Sequence, residues 1–114
     1  MVEVVFTMTS PACGESYDAT IDGVDVGRVR LRYGRFCAHQ ADNTKLLLVD
    51  VRADGLDGCF YPDMAMRDAY LGIAAEALAA AAGHDTEVVV SVESDFDYDG
   101  NLRDWGARVD GAAW

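Results

Sequence analysis

At 114 residues with 51% hydrophobic content, the chain is sized for one domain, residues 1–114, with a single real core. Its net charge of −11 sets its field against nucleic acid and membrane surfaces, which excludes a direct reader of either. The same field attracts basic surfaces, including those that other proteins use to hold nucleic acid. Fifteen Asp and five Glu face eight Arg and one Lys, a balance that also fits a halophilic host or a GC-rich genome.

The opening MVEVVFTMTS carries an acid and no positive n-region, which argues against a signal peptide. The longest apolar run, residues 73 to 82, is interrupted by Glu76 and is too short to span a bilayer. Cys13, Cys37 and Cys59 form no C-x-x-C pair, the usage of reduced thiols. These features together predict a soluble, cytoplasmic protein.

Val2, Val4, Phe6 and Met8 recur at period two and predict a half-buried strand. After the loop SPACGES, Tyr17, Ala19 and Ile21 predict a second, closed by Asp22-Gly23 as a hairpin turn. The third begins with Val24 and Val26 facing inward and changes parity after Gly27 to Val29, Leu31 and Tyr33, the mark of a β-bulge. Gly34 ends or bends it before RFCAH. In TKLLLVDVRA, Leu47, Val49 and Val51 share one face and Leu46 and Leu48 the other, which predicts a central strand.

Pro62-Asp63 opens a helix that Gly83 closes, with Met66, Tyr70, Ile73, Ala77 and Ala81 at helical spacing and Leu71 and Leu78 flanking them. The last strand, TEVVVSVESDFDYD, sets Val88, Val90, Val92, Phe96 and Tyr98 against Val89, Ser91, Glu93, Asp95, Asp97 and Asp99. The expected fold is α+β: a mostly antiparallel sheet of about five strands, order β-β-β-β-α-β, with one long helix packed on one face.

Three constellations carry chemistry. Residues 95 to 100, D-x-D-x-D-G, match the first half of an EF-hand calcium loop, but position twelve is Gly106 where a bidentate acid belongs. Read instead as strand, Glu93, Asp95, Asp97 and Asp99 stand about 7 Å apart, close to the spacing of successive phosphates along a nucleic-acid strand. Such acids also serve simply to protect a sheet edge from aggregation. Arg28, Arg30, Arg32 and Arg35 supply four of the nine bases within eight residues. This ladder suits a phosphate-bearing ligand or, the favoured reading, cross-strand pairing with carboxylates. Cys13, Cys37, His39 and Cys59 have the chemistry of a Cys₃His zinc site, but only Cys37-Ala-His39 is locally close and paired knuckles are lacking.

Residues 44 to 99, with RDAYLGIAAEALAAAAG, resemble the central part of the GNAT acetyltransferases. That family opens its helix with a Q/R-x-x-G-x-G/A turn whose amides hold the pyrophosphate of acetyl-CoA. Arg67 and Gly72 match, while Tyr70 stands where a glycine belongs, so the resemblance implies a shape more than an activity. As a whole, through its size, acidity and acid row, the chain is similar to the small acidic inhibitors of phages, the anti-CRISPR and anti-restriction proteins. That resemblance implies a non-enzymatic DNA mimic without cofactor or metal. Its partner would be a basic nucleic-acid-binding protein or complex, such as a CRISPR effector. Glu93, Asp95, Asp97, Asp99 and Asp104 would supply charge, and Phe96, Tyr98, Trp105 or Trp114 the anchors.

Overall fold

The computed structural model describes residues 1–10, 14–52, 59–60 and 63–93. In chain order these form β1 (Val2–Ser10), β2 (Glu15–Ile21), β3 (Val24–Arg32), β4 (Arg35–Gln40), β5 (Asn43–Arg52), helix α1 (Met64–Ala81) and β6 (Val88–Glu93). The six strands make one sheet in the order β5-β4-β3-β2-β1-β6. Every neighbouring pair is antiparallel except β1 and β6, which run parallel. The α+β class holds, with one strand more than the sequence suggests. That strand is β4, whose RFCAH stretch alternates like its neighbours but is short and directly follows Gly34.

Two hairpins are closed by residues that tolerate positive φ. Asp22 and Gly23 join β2 to β3 at φ 52° and 78°, and Tyr33 and Gly34 join β3 to β4 at 54° and 69°. Two consecutive left-handed residues match the right-handed twist of the flanking strands. Tyr33 therefore belongs to a turn, not to the inward face, and is exposed; Val24, at the mouth of the other turn, is exposed as well. The predicted bulge is present beside Gly27. Thr20 pairs with Asp25 and Ala19 with Gly27, which leaves Val26 as the extra residue.

β5 differs from expectation in two ways. It is an outer strand rather than a central one, which leaves Leu46, Leu47 and Val51 partly exposed. A register shift also sets Leu47 opposite His39 and Val49 opposite Ala38, so Leu47 and Val49 face opposite sides. Period-two reading cannot see a bulge that has no glycine beside it.

α1 follows the capping logic of the sequence. The Asp63 carboxylate accepts the Met66 N–H at 2.9 Å, which satisfies one of the otherwise unpaired first-turn amides. At the other end Gly83 has φ 92°, and the Gly83 and His84 N–H groups bond back to Ala80 and Ala79 at 3.0 and 2.9 Å. That is a Schellman closure. The buried stripe is Leu71, Ala74, Ala75, Leu78 and Ala79, rotated from the one expected through Met66 and Ile73, which are exposed. A helix apolar on nearly all sides leaves its orientation to the sheet. Its three buried alanines, Ala74, Ala75 and Ala79, and small sheet residues such as Gly27, Ala19 and Ala38 let it lie close.

The core lies between α1 and one sheet face: Val4, Phe6, Tyr17, Ala19, Val29, Leu31, Phe36 and Ala38 beneath Leu71, Ala75 and Leu78. Phe36, Phe60 and Tyr70 stack into an aromatic cluster with ring centroids 5.1–6.0 Å apart. Arg67 to Gly72 lie inside α1, and the Arg67 amide bonds to the Asp63 carbonyl at 3.2 Å. The pyrophosphate turn that the GNAT resemblance implies at these residues is not formed. No described helix is long and apolar enough to cross a membrane.

Candidate functional site

Because Val29 and Leu31 are buried under α1, the alternation of β3 turns Arg28, Arg30 and Arg32 to the opposite, open face of the sheet. β4 obeys the same rule: Phe36 and Ala38 go into the core, and Arg35, Cys37 and His39 join the arginines. Cross-strand pairing then brings Asp50 of β5 opposite Cys37, and the bulge delivers Leu47 opposite His39. Together with Tyr33, these side chains line a cleft of about 670 Å³, within the size range of small-molecule sites.

The favoured expectation for the arginine ladder was cross-strand pairing with carboxylates, and half of it pairs so. Arg28 reaches Asp18 at 2.9 Å. Arg35 grips Asp50 with two prongs, Nε to Oδ1 at 3.1 Å and the terminal nitrogen to Oδ2 at 2.5 Å. Arg32 instead lies over the Tyr33 ring, 4.8 Å from its centroid, and donates to its hydroxyl at 3.1 Å. Arg30, flanked by Ser16 and Cys37 on the adjoining strands, bonds to no described residue. Four guanidiniums thus meet two carboxylates.

The register sharpens this imbalance. Arg32 pairs with Arg35, and Arg35 with Arg52, so three arginines form one row across β3, β4 and β5. Like charges directly opposite one another destabilise a sheet, with Cβ atoms about 5 Å apart.

Local charge also sets the thiol and carboxylate. Hydrogen bonding from Arg35, reinforced by its charge, holds the Asp50 carboxyl below the usual carboxylate range against some burial. Burial first, then Asp50, pushes the Cys37 thiol up, and Arg35 and Arg30 offset only part of this. Cys37 therefore stays protonated at neutral pH and is no activated nucleophile. Since the Asp50 pKa is depressed on folding, its contribution to stability is present above the unfolded carboxylate pKa and is lost as pH falls through the folded value. Both partners are substantially exposed, so Asp50→Asn should move the acid-unfolding midpoint only slightly, as read by far-UV circular dichroism.

The acid row is placed in part. Glu93 is exposed at the end of β6, an outer strand, on the open face with Val89 and Ser91. Glu3, Asp85 and Glu87 are exposed along the same border of the sheet, and Ser91 hydrogen-bonds the Glu3 carboxylate. Asp95, Phe96, Asp97, Tyr98, Asp99, Asp104 and Trp105 lie outside the described residues, as do the remainder of the calcium-like stretch, Trp114 and Cys13. Cys37 and His39 share the open face, while Cys59 adjoins buried Phe60. No group of three or more His, Cys, Asp or Glu among the described residues is placed to hold a metal ion.

The open face thus carries acid at its β1–β6 border and arginine over β3, β4 and β5. Sequence reasoning found the arginines but missed Tyr33, Cys37, His39, Leu47 and Asp50 as their neighbours. The available signal was the period-two pattern of Arg35, Cys37 and His39. No family model matches the chain, and neither curated proteins nor solved structures include a significant match.

Proposed function

We propose that this chain is a non-enzymatic, acidic binding protein that covers a basic protein surface of the kind that normally holds nucleic acid, in the manner of an anti-CRISPR-type inhibitor. The observation that carries the reading is the position of Glu93. The first acid of the row is exposed at the end of an outer strand, and Glu3, Asp85 and Glu87 add carboxylates along that border. The net charge of −11 supplies long-range attraction to a basic partner and raises its rate of encounter.

The test is competition. A basic partner captured from a nuclease-treated lysate should bind this protein or DNA, each displacing the other. Replacing Asp95, Asp97 and Asp99 with Asn removes three charges at nearly constant shape. Association should slow by roughly tenfold at low salt, with a shallower dependence on ionic strength, while the melting temperature stays within a few degrees. Unchanged association kinetics in the triple variant, or a partner that holds DNA and this protein together, would defeat the proposal.

A further inference from the structure

We infer that the arginine-lined cleft on the open face is a binding site for a small phosphate-bearing molecule. This inference is independent of the acidic border and its partner.

Three observations converge on it. First, the cleft concentrates positive charge in a chain that is otherwise strongly negative. Four guanidiniums on β3 and β4 line it, and the carboxylates of Asp18 and Asp50 neutralise two of them. Second, like charges meet directly across the strands beside the cleft. Arg32, Arg35 and Arg52 stand in one cross-strand row, where an anion between them would turn repulsion into attraction. Third, Arg30 is unpaired among the described residues, and Arg32 is held by stacking and a hydroxyl rather than by a carboxylate. Both keep donors in the planar fork that matches phosphate oxygens.

The chemistry also says what the ligand is not. A polymeric nucleic acid would extend past the cleft toward the acidic border at Glu3, Glu87 and Glu93, where its phosphates are repelled. A small ligand stays within about one screening length, roughly 8 Å at physiological salt, of the arginines. Leu47 and the exposed Tyr33 ring give it an apolar wall and an aromatic flank, which suits an organic group attached to the phosphate.

Inorganic pyrophosphate is the probe, titrated at constant ionic strength with sodium chloride as balance and followed by calorimetry and amide chemical shifts. The parent should show saturable binding, with shifts concentrated at residues 28–39 and 47–50. The double variant Arg30→Gln/Arg32→Gln should lose affinity by about tenfold or more, the loss expected for charge-assisted bonds. It should melt no lower than the parent, because the row loses like-charge repulsion. Asp50→Asn, which releases Arg35, should bind pyrophosphate more tightly. Arg67→Gln, on the helix side of the sheet, should change nothing. The inference fails if binding is unsaturable, or if the double variant binds as the parent does. It fails equally if a short DNA duplex binds through Arg30 and Arg32 more tightly than pyrophosphate, because the site would then serve a polymer.

Discussion

Gly27→Ala will destabilise the fold by roughly 1–3 kcal/mol, the usual range for forcing a methyl group into a filled core. A Cβ at Gly27 would lie 2.3 Å from the His39 carbonyl oxygen and 2.6 Å from Leu78 Cδ2. The first contact is with backbone on the adjoining strand β4, paired in register with β3, and cannot rotate away. The second is with the tip of the fully buried Leu78 side chain, which must turn within packed surroundings to make room. Gly27 also follows the bulge at Val26, so both strand and helix geometry converge on a residue without a side chain.

Urea denaturation should show a lower midpoint with an unchanged slope. Gly72→Ala is the matched control of opposite sign. Nothing lies within 4 Å of its Cβ position, and it sits inside α1, so alanine there should stabilise by about 0.5–1 kcal/mol. If Gly27→Ala were as stable as the parent, the close seating of α1 on β3 would be wrong.

Glu15→Ala will cost more, roughly 3–5 kcal/mol, the scale for breaking a buried polar network from one side. Glu15 is 1% exposed, the sole buried charged side chain among the described residues. One carboxylate oxygen accepts the Tyr17 hydroxyl at 2.5 Å and the other the Phe60 N–H at 2.9 Å. The second bond spans 45 residues and fastens Phe60 where its ring meets Phe36 and Tyr70. Alanine would remove the acceptor of two buried donors and leave a cavity beside the aromatic cluster. Glu15→Gln keeps an oxygen for Phe60 and the side-chain length, so it should lose clearly less. Near-UV circular dichroism should report loosening of the aromatic cluster in Glu15→Ala before global unfolding. Equal stability of the alanine variant and the parent would show that Phe60 is held by packing alone.

Neither residue announces its role in the chain. Gly27 is legible as a bulge, because the parity of apolar residues changes beside it, but its second duty under Leu78 depends on where a nearly all-apolar helix settles. Glu15 reads as one more acid in a loop. Only the return of the chain at Phe60 makes it a buried acceptor.

The sequence by itself determined the local elements, since these rest on contacts between near neighbours. Alternating apolar residues set the inward faces of β1, β2 and the greater part of β3, the pair Asp22-Gly23 supplied a turn, Gly34 marked the end of β3, and Asp63 and Gly83 bounded α1. It also determined that Arg28, Arg30 and Arg32 would share a face, because period two permits nothing else within an unbroken strand.

The tertiary structure decided strand order and everything that follows from it. LLLVDV reads as a central strand by its apolar content, yet it is an outer one, because α1 carries the chain back across the sheet and β6 pairs with β1. The bulge that sends Leu47 to the arginine face, the stripe of α1 that is buried, and the row of Arg32, Arg35 and Arg52 are likewise products of pairing. Hydrophobicity tells a side chain whether to leave water. Which partner it meets is settled by long-range register, and the cleft exists only because three strands agree on one.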